Sequence, residues 1–234
     1  GVTVRFVREP AAAEGADLVV LPGSKATVSD LAWLRAAGFD GFLCARAASC
    51  APVLGICGGC QMLGVRIADP DGAEGPAGSY EGFGLLPLSF RFGPEKRTAQ
   101  VVARAAAPSF LTGEVPDGAF LDGYEIHMGR ASVAPGGNGA GVPFRVVSRN
   151  GAPAAGSDGE PDGAIAAGGA VVGTMLHALL GNAAVRRSLL GFLRRRRGLP
   201  EPPAAAAADP IGRWADVVRR HADLAAIRRI AGLA

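Results

Sequence analysis

The stretch PVLGICGGCQMLGV, residues 52–65, decides the fold class of this chain. Its apolar run Pro52–Ile56 has the length and composition of a buried parallel strand, and the residues after Cys57 have those of a helix. Glycines around a sharp strand-to-helix turn relieve crowding and allow a nucleophile to sit on an unusual backbone conformation. The stretch therefore predicts a parallel α/β sheet with a reactive cysteine where one strand ends.

The same strand, loop and helix pattern recurs on both sides of this stretch. Asp17–Leu21 is a short apolar run closed by Pro22-Gly23, and Ser29–Leu34 has helical character with Ser29 as a candidate N-cap. The pattern predicts an α/β fold with a parallel core sheet flanked by helices. Further strands are predicted at Val2–Val7, Thr98–Arg104, Phe144–Arg149 and Ala170–Leu176, loops at Asp69–Gly84 and Ala152–Gly163 (the latter a mobile surface loop), and a helix at Asn182–Arg196 with Asn182 as its cap.

The chain changes character near residue 200. Glu201–Ala208 (EPPAAAAA) resembles a linker, and apolar residues between Trp214 and Ile227 recur at helical spacing. We therefore expect one domain over residues 1–200, followed by a linker and a C-terminal amphipathic helix over 201–234. His221 lies on the apolar stripe, which favours a packing role over a ligand role.

Composition limits the function classes. About half of the 234 residues are hydrophobic (49%), enough for a sizeable core, and the net charge is only +3. The basic cluster Arg194–Arg197 follows a helix and has no interleaved aromatic residues, so it indicates a solvated helix end rather than a nucleic-acid surface. No apolar run approaches the roughly 20 residues of a membrane span. Four cysteines in such a chain indicate a reducing, cytoplasmic location rather than a disulfide framework.

Cys57 and Cys60 form a CxxC pair that has several interpretations. A zinc site needs a second pair of ligands, and Cys44 and Cys50 are not spaced as one, so no metal is predicted. A nucleophile on the turn explains the flanking glycines better than a redox pair does. The start of the following helix favours the thiolate, and the N–H group of Gly58 is placed to bind an oxyanion. The alternative is a small buried cysteine beside a glycine-rich turn.

A thiol nucleophile needs a base, and the chain has three histidines. His177 follows the apolar strand AVVGTML at its C-terminal end, where open α/β sheets place their sites. His127 lies in the polar segment GYEIHMGR and is the second candidate. The spacing favours His177 but leaves both open.

Four motifs in this order make the chain similar to a known family. They are LPGSKATVSDLAWL (21–34), GICGGCQMLG (55–64), GYEIHMGR (123–130) and GTMLHALLGN (173–182). Together they resemble the C-terminal glutamine amidotransferase domain of cobyric acid synthases, of the CobB/CobQ type within the class I (triad) amidotransferases. The likeness extends over nearly the whole chain and implies the flavodoxin-like fold of that class.

The resemblance implies a role for each matching residue. Cys57 would attack the side-chain amide of L-glutamine, His177 would pass a proton to the departing ammonia, and a γ-glutamyl thioester would then be hydrolysed. Gly23 would donate the second oxyanion hydrogen bond beside Gly58, and Gln61 would shape the glutamine pocket. Without the resemblance, Gly23 is an ordinary turn glycine and Gln61 a helix-surface amide.

Three other residues are candidates for substrate or interface contacts. Glu125 and His127 lie in the GYEIHMGR motif, which in the family faces either the corrinoid or the other domain; the alternative is a charged structural turn. Arg97 either binds the glutamine α-carboxylate or is a solvated surface residue.

The chain departs from the class I pattern at three positions. Leu179 stands two residues after His177, where these enzymes commonly carry a glutamate that orients the imidazole. The CobB/CobQ branch also lacks it, so a Cys–His dyad is expected. Cys60 stands where an aromatic residue is usual, which is expected to alter the shape of the pocket but removes no catalytic group. Met175 stands where a tyrosine is usual, and a packing change is expected there.

The resemblance also implies a partner. Cobyric acid synthases carry an N-terminal ATP-binding synthetase domain, and this chain lacks the G-x-x-x-x-G-K-[ST] phosphate loop. We expect the chain to be the glutaminase half, as a fragment or a separate subunit, with no cofactor of its own and with ATP and Mg²⁺ on the synthetase. Its ammonia would amidate adenosylcobyrinic acid a,c-diamide. The alternatives are another acceptor, such as cobyrinic acid or a cell-wall lipid intermediate, or a noncatalytic partner-binding module.

Overall fold

A computed structural model describes residues 2–137, 140–200 and 210–233, which divide into two compact units after residue 199. The first unit contains the strands and four of the α-helices. Its strands are β1 (Val19–Leu21), β2 (Val53–Ile56), β3 (Arg66–Asp69), β4 (Gly78–Glu81), β5 (Leu88–Ala105), β6 (Leu121–Val133), β7 (Phe144–Arg149), β8 (Ala152–Pro153), β9 (Glu160–Asp162), β10 (Ala164–Ala166) and β11 (Val171–Thr174). Its α-helices are α1 (Thr27–Ala36), α2 (Phe39–Ala48), α3 (Gly58–Leu63) and α4 (Ala183–Arg196).

The first sheet has the predicted parallel core. Its order is β1-β2-β11-β10; β1 and β11 both run parallel to the central β2, and only β10 is antiparallel. Val53 and Leu54 on β2 are buried, as expected of a strand covered on both faces. The C-terminal ends of β1, β2 and β11 therefore meet at one edge, which is where Cys57 follows β2 and His177 follows β11.

The second sheet is mostly antiparallel and brings further residues to that edge. Its order is β4-β3-β5-β7-β8, with β6 paired to β5 and β9 paired to β7. Tyr124 on β6 forms a bridge with His177, beyond the end of β11. This bridge fixes β6 against the C-terminal edge of the parallel sheet.

Two apolar clusters stabilise the unit. One contains Leu43 and Leu63 from the helices together with Phe90 from β5, and the other contains Phe144 from β7 and Val185 from α4. The side chains of both clusters are buried and closely packed, so the helices and strands that carry them support the edge of the parallel sheet rigidly.

Two predictions about the N-terminal part are wrong. Val2–Val7 is not a strand; its backbone is irregular, and the ring of Phe6 is almost fully exposed. The alternation of apolar residues there lacks a neighbouring strand to pair with among the described residues. Ser29 is not the N-cap of α1, because the helix begins two residues earlier and Ala26 occupies the cap position.

Other predictions are refined. Asn182 occupies the N-cap position of α4, but its side chain makes no capping hydrogen bond and instead bonds to the backbone of Asp122. The predicted mobile loop Ala152–Gly163 contains β8 and β9, and the predicted loop Asp69–Gly84 contains β4. Strands of two to four residues are too short to produce a readable alternation.

The second unit contains α5 (Pro210–His221) and α6 (Leu224–Ile230), where a single helix was predicted. Asp223 begins α6 by accepting a hydrogen bond from the backbone of Ala226. His221 is exposed, so the packing role predicted for it is wrong. The predicted linker Glu201–Ala208 lies outside the described residues. Among the helices described, none has both the length and the apolar character needed to cross a bilayer.

Candidate active site

Cys57 sits on a strained turn between β2 and α3. Its φ and ψ are 50° and −108°, a positive-φ conformation that side-chain-bearing residues rarely adopt and that often marks a functional site. Its N–H group donates to the carbonyl of Thr174 at 2.8 Å, and its carbonyl accepts from Gln61 at 2.9 Å. A Cβ atom on Gly59 would lie 1.9 Å from the carbonyl oxygen of Leu21, so glycine is required there.

The thiol of Cys57 is buried and protonated in the free site. Its Sγ lies 3.8 Å from the carbonyl oxygen of Ile126. Burial raises the pKa of Cys57 to about 11; the N–H group of Gly58 opposes this, and the charges of Glu74 and Asp162 add to it. The start of α3 contributes in the predicted direction, through the N–H group of Gly58, but the net pKa of the thiol is raised. Loss of hydration outweighs the field of a helix of only six residues.

The imidazole of His177 lies beside this turn, stacked on the ring of Tyr124. The ring centroids are 4.8 Å apart, and the planes are inclined by 5°. His177 donates its backbone N–H to Tyr124 at 2.9 Å and accepts from Tyr124 at 3.3 Å. Burial lowers the pKa of His177 below its usual value, so the ring is neutral at pH 7 and able to accept a proton.

Gly23 brings the cysteine and the histidine together. A Cβ atom on Gly23 would lie 3.1 Å from Cε1 of His177 and 3.7 Å from Cβ of Cys57. The next residue, Ser24, packs on Gly58, where an added Cβ would be 2.7 Å from its backbone nitrogen. The structure thus places all four predicted residues, Cys57, His177, Gly23 and Gly58, around one point.

Leu179 occupies the place of the orienting glutamate and turns away from the ring into the core. It is buried in the apolar cluster around Leu176 and Val185. The Nε2 atom of His177 is buried, and no group in the described part of the chain bonds to it. A carboxylate contact of the triad type is thus missing from the described residues.

Gln61 is buried rather than on a helix surface. Its Oε1 atom lies 3.3 Å from the hydroxyl oxygen of Thr27, and that hydroxyl donates its hydrogen to Oε2 of Glu74 at 2.8 Å. The loop between β3 and β4 carries Glu74 to the hydroxyl of Thr27. It is held there by Asp69, which accepts hydrogen bonds from the backbone N–H groups of Ala73 and Glu74 at 2.7 and 2.9 Å. Burial raises the pKa of Glu74 above its usual value, although Thr27 opposes this.

Glu125 and Arg97 belong to a separate ion cluster on β5, β6 and β7. Arg149 binds Glu125 with two hydrogen bonds of 2.8 and 2.9 Å, and Arg97 lies 3.9 Å from the same carboxylate. Burial acts to raise the pKa of Glu125, but the hydrogen bonds and charge of Arg149 outweigh it, and the pKa is lowered. Glu125 is thus a paired anion.

His127 lies opposite Arg97 in the β5–β6 register. Its Nδ1 atom donates to the carbonyl of Gly129 at 2.8 Å, which leaves Nε2 as the acceptor in the neutral ring. Burial lowers the pKa of His127, while Glu125 opposes this. His127 is therefore the second neutral imidazole near the site, but it lacks the close contact with Gly23 that His177 makes.

Comparison with known proteins identifies the family. Residues 1–185 match the model of the CobB/CobQ-like glutamine amidotransferase domain. The chain belongs to this family.

Two curated relatives of the CobB/CobQ-like domain extend this result. The chain is 47% identical to a cobyric acid synthase of Sorangium cellulosum, over 100% of the chain and 46% of the relative. It is 42% identical to a cobyric acid synthase of Rhizorhabdus wittichii, over 95% of the chain and 40% of the relative. The chain therefore spans less than half the length of these relatives.

Solved structures confirm the amidotransferase fold of the CobB/CobQ-like domain. A crystal structure of a glutamine amidotransferase superposes with a TM-score of 0.56 at 17% identity, covering 85% of this chain and 88% of that one. PurLQS from Thermotoga maritima superposes with a TM-score of 0.54 at 19% identity, covering 77% and 81%. At such identities the likeness concerns the fold alone.

Four residues that shape the site of this CobB/CobQ-like domain are not evident from the sequence pattern. Tyr124 was visible inside the GYEIHMGR motif, but its stacking depends on the position of β6. Thr27 lies in the LPGSKAT segment, close to the glycine that was singled out. Glu74 and Asp162 lie in stretches predicted to be loops, each among other acidic residues from which no periodic signal distinguishes it.

Proposed function

We propose that this domain hydrolyses the side-chain amide of glutamine and supplies the ammonia to an ATP-dependent synthetase acting on adenosylcobyrinic acid a,c-diamide. The observation that carries the proposal is the strained Cys57 at the end of β2, with the neutral His177 ring packed beside it across Gly23. A nucleophile held on such a turn and a base within reach are the two groups that amide attack requires.

The chemistry follows from this arrangement. His177 takes the proton of the Cys57 thiol as Sγ forms a bond to the amide carbon. The N–H groups of Gly58 and Gly23 stabilise the resulting oxyanion. As the carbon–nitrogen bond breaks, His177 returns the proton to the leaving ammonia. Water, deprotonated by His177, then hydrolyses the γ-glutamyl thioester and releases glutamate and the thiol.

The polar chain of Gln61, Thr27 and Glu74 supports recognition of the amino-acid end of glutamine. Glu74 is a partly buried carboxylate whose charge opposes a thiolate at Cys57. The α-ammonium group of glutamine is the cation that would neutralise it. Substrate binding would then lower the free-energy cost of ionising the Cys57 thiol, so the nucleophile would form more easily when glutamine is bound than in the empty site.

The remaining parts of the proposal concern the rest of the protein. The curated relatives are about twice as long, which supports a synthetase half that binds ATP and Mg²⁺. Glu125, His127 and Arg97 would face that half or the corrinoid. We place the reaction in the cytoplasm, where glutamine and ATP are available.

Ammonia release tests the glutaminase. The domain is mixed with a cobyric acid synthase ATP-binding domain and glutamine, and ammonia is measured. Cys57→Ser should abolish release, and Cys60→Ala should retain it. A glutamine-like electrophile should label Cys57; labelling at Cys60 instead would contradict the mechanism.

Amidation tests the acceptor. The same mixture receives ATP and the corrinoid, and product masses count the amidations. Ammonia release without amidation, despite active synthetase, would point to another acceptor. Intact glutamine after long incubation of the folded pair would support a noncatalytic module.

A further inference from the structure

Asp162 is a buried carboxylate that the mechanism above leaves without a role. It ends β9, and the chain turns back at Gly163 with a positive φ of 77°. A Cβ atom on Gly163 would lie 2.0 Å from the carbonyl oxygen of Gly173, so this turn lies directly against β11. The side chain of Asp162 is thereby held beside the last residue of β11.

The carboxylate bonds to the segment that leads to His177. One oxygen accepts the hydroxyl hydrogen of Thr174, and the other accepts the N–H group of Met175 at 3.1 Å. The hydroxyl of Thr174 in turn accepts from the N–H group of Leu176 at 3.1 Å. Three consecutive residues immediately before His177 are thus connected to one carboxylate.

The same segment also holds the nucleophile, because the carbonyl of Thr174 accepts the N–H group of Cys57 at 2.8 Å. Thr174 is therefore bonded to Asp162 through its side chain and to Cys57 through its backbone. Its hydroxyl already accepts one hydrogen from Leu176, so its own proton is directed to Asp162. These directions suit an ionised carboxylate, which accepts both bonds.

A buried carboxylate at this position is energetically unfavourable, so its presence calls for a functional explanation. Burial of an ionisable group costs free energy, and an apolar side chain fills such a position at lower cost. Asp162 also lies near the thiols of Cys57 and Cys60, and its charge opposes the ionisation of both. Packing alone therefore does not explain it.

We propose that Asp162 is a positioning residue that holds the backbone of Thr174, Met175 and Leu176 so that His177 faces Cys57. It acts through the main chain, whereas the class I glutamate contacts the imidazole directly. This inference rests on the proposed glutaminase activity. It explains how the ring is oriented although Leu179 replaces that glutamate.

The test uses Asp162→Asn and Thr174→Val in the domain mixed with its synthetase half. The asparagine amide accepts from Met175 but presents N–H donors to the hydroxyl of Thr174, and valine removes that hydroxyl. Each variant should lower kcat for glutamine hydrolysis by about tenfold and change KM by less than about threefold. The double variant should lose no more than either single one, because both remove the same contact.

Two controls separate positioning from general destabilisation. Thr174→Ser keeps the hydroxyl and should recover most of the kcat lost in Thr174→Val. Ser188→Ala removes a part-buried hydrogen bond that the hydroxyl of Ser188, on α4, accepts from the backbone N–H group of Glu114. It should lower the melting temperature and leave kcat at the wild-type value.

A second readout does not depend on turnover. The chain has three histidines, and the ring current of the stacked Tyr124 should shift the ring signals of His177 away from those of the other two. In NMR spectra, Asp162→Asn should move the ring signals of His177 and leave those of His221 in place. If Asp162→Asn moves the His177 signals but the wild-type domain releases no ammonia, the positioning role is supported and the proposed function is overturned. Folded variants with wild-type kcat, or with an unmoved His177 signal, would overturn the positioning role.

Discussion

The ring of His177 lies parallel to the ring of Tyr124, with centroids 4.8 Å apart, while the backbones of the two residues form a bridge. The backbone bridge fixes the position of His177 along β6, and the stacking fixes the plane of its imidazole ring. Because Leu179 stands where class I enzymes carry an orienting glutamate, we expect the stacked phenol ring to restrict rotation of the His177 imidazole.

Removing that ring should slow the reaction. Tyr124→Ala loses a stacked pair worth about 0.5–1.5 kcal/mol, and we expect kcat for glutamine hydrolysis to fall about two- to tenfold. Tyr124→Phe keeps the ring and should keep kcat. Phe120→Ala is the matched control, since Phe120 is an exposed ring that contacts Arg104 instead. Full activity of Tyr124→Ala would show that stacking does not orient His177.

Restoring the glutamate of the class I pattern should not restore a triad. Leu179 is buried among apolar side chains, so Leu179→Glu buries an unpaired carboxyl group and should destabilise the domain by several kcal/mol. Urea unfolding measures this. The same change one residue on, Leu180→Glu, falls on an exposed side chain and should be nearly neutral. A Leu179→Glu variant with raised kcat and wild-type stability would contradict this account.

The sequence predicted what depends on local pattern. The short apolar runs around residues 17–21, 52–56 and 170–176 became the parallel strands, and the carboxyl-end rule then placed Cys57 and His177 at one edge. Gly23 was singled out only through the resemblance to the amidotransferase family, and the structure places its loop after the neighbouring strand β1. The common edge of Cys57 and His177 required only the apolar runs and the geometry of parallel sheets.

What the sequence did not reveal depends on contacts between distant residues. The pairing of β6 with the end of β11 determines the stacking of Tyr124, and no local pattern encodes it. Asp162 ends a strand of three residues that follows a strand of two, and such short strands look like a loop in the sequence. The raised pKa of Cys57 was not predicted, because the helix start that lowers it is visible in the sequence while the burial that outweighs it depends on the whole fold.

The glycine before Cys60 should be irreplaceable. A Cβ atom on Gly59 would lie 1.9 Å from the carbonyl oxygen of Leu21, and backbone cannot move away from it cheaply. Gly59→Ala should therefore prevent folding or lower stability by about 3 kcal/mol or more. Gly41 lies inside α2 with open space around it, so Gly41→Ala should be neutral or stabilise by up to about 1 kcal/mol. Thermal unfolding of the pair measures the contrast, and equal stabilities would contradict it.

Asp162 should make stability depend on pH. Burial raises its pKa from 3.8 to about 7, although the bonds from Thr174 and Met175 oppose this. The charged and titratable groups near it are those of Cys57, Cys60, Glu125 and Arg149.

The sign follows from proton binding. Between about pH 4 and 7 the folded state holds the proton of Asp162 more tightly than the unfolded chain does, so the free energy of unfolding falls as pH rises. The Asp162→Asn variant has no titrating group at this position, so this contribution to the fall is absent. Urea unfolding measures the free energy of unfolding of wild type and variant across this pH range. Their difference gives the contribution of Asp162, because the other carboxyl groups are common to both. A difference that is constant with pH would show that Asp162 has an ordinary pKa in the fold.

The charge of Glu74 should strengthen glutamine binding and, in the empty site, make the Cys57 thiol harder to ionise. Glu74→Gln keeps a partner for Thr27 but removes the charge proposed to bind the α-ammonium group, so KM for glutamine should rise about tenfold or more while kcat changes less. The same loss of charge lowers the pKa of Cys57, which Glu74 helps to raise. Without glutamine, iodoacetamide should therefore alkylate Cys57 faster at a given pH than in wild type, as followed by peptide mass spectrometry. Glu81→Gln changes an exposed carboxylate and should alter neither rate. Weaker binding without faster alkylation would mean that Glu74 shapes the pocket and does not act through its charge.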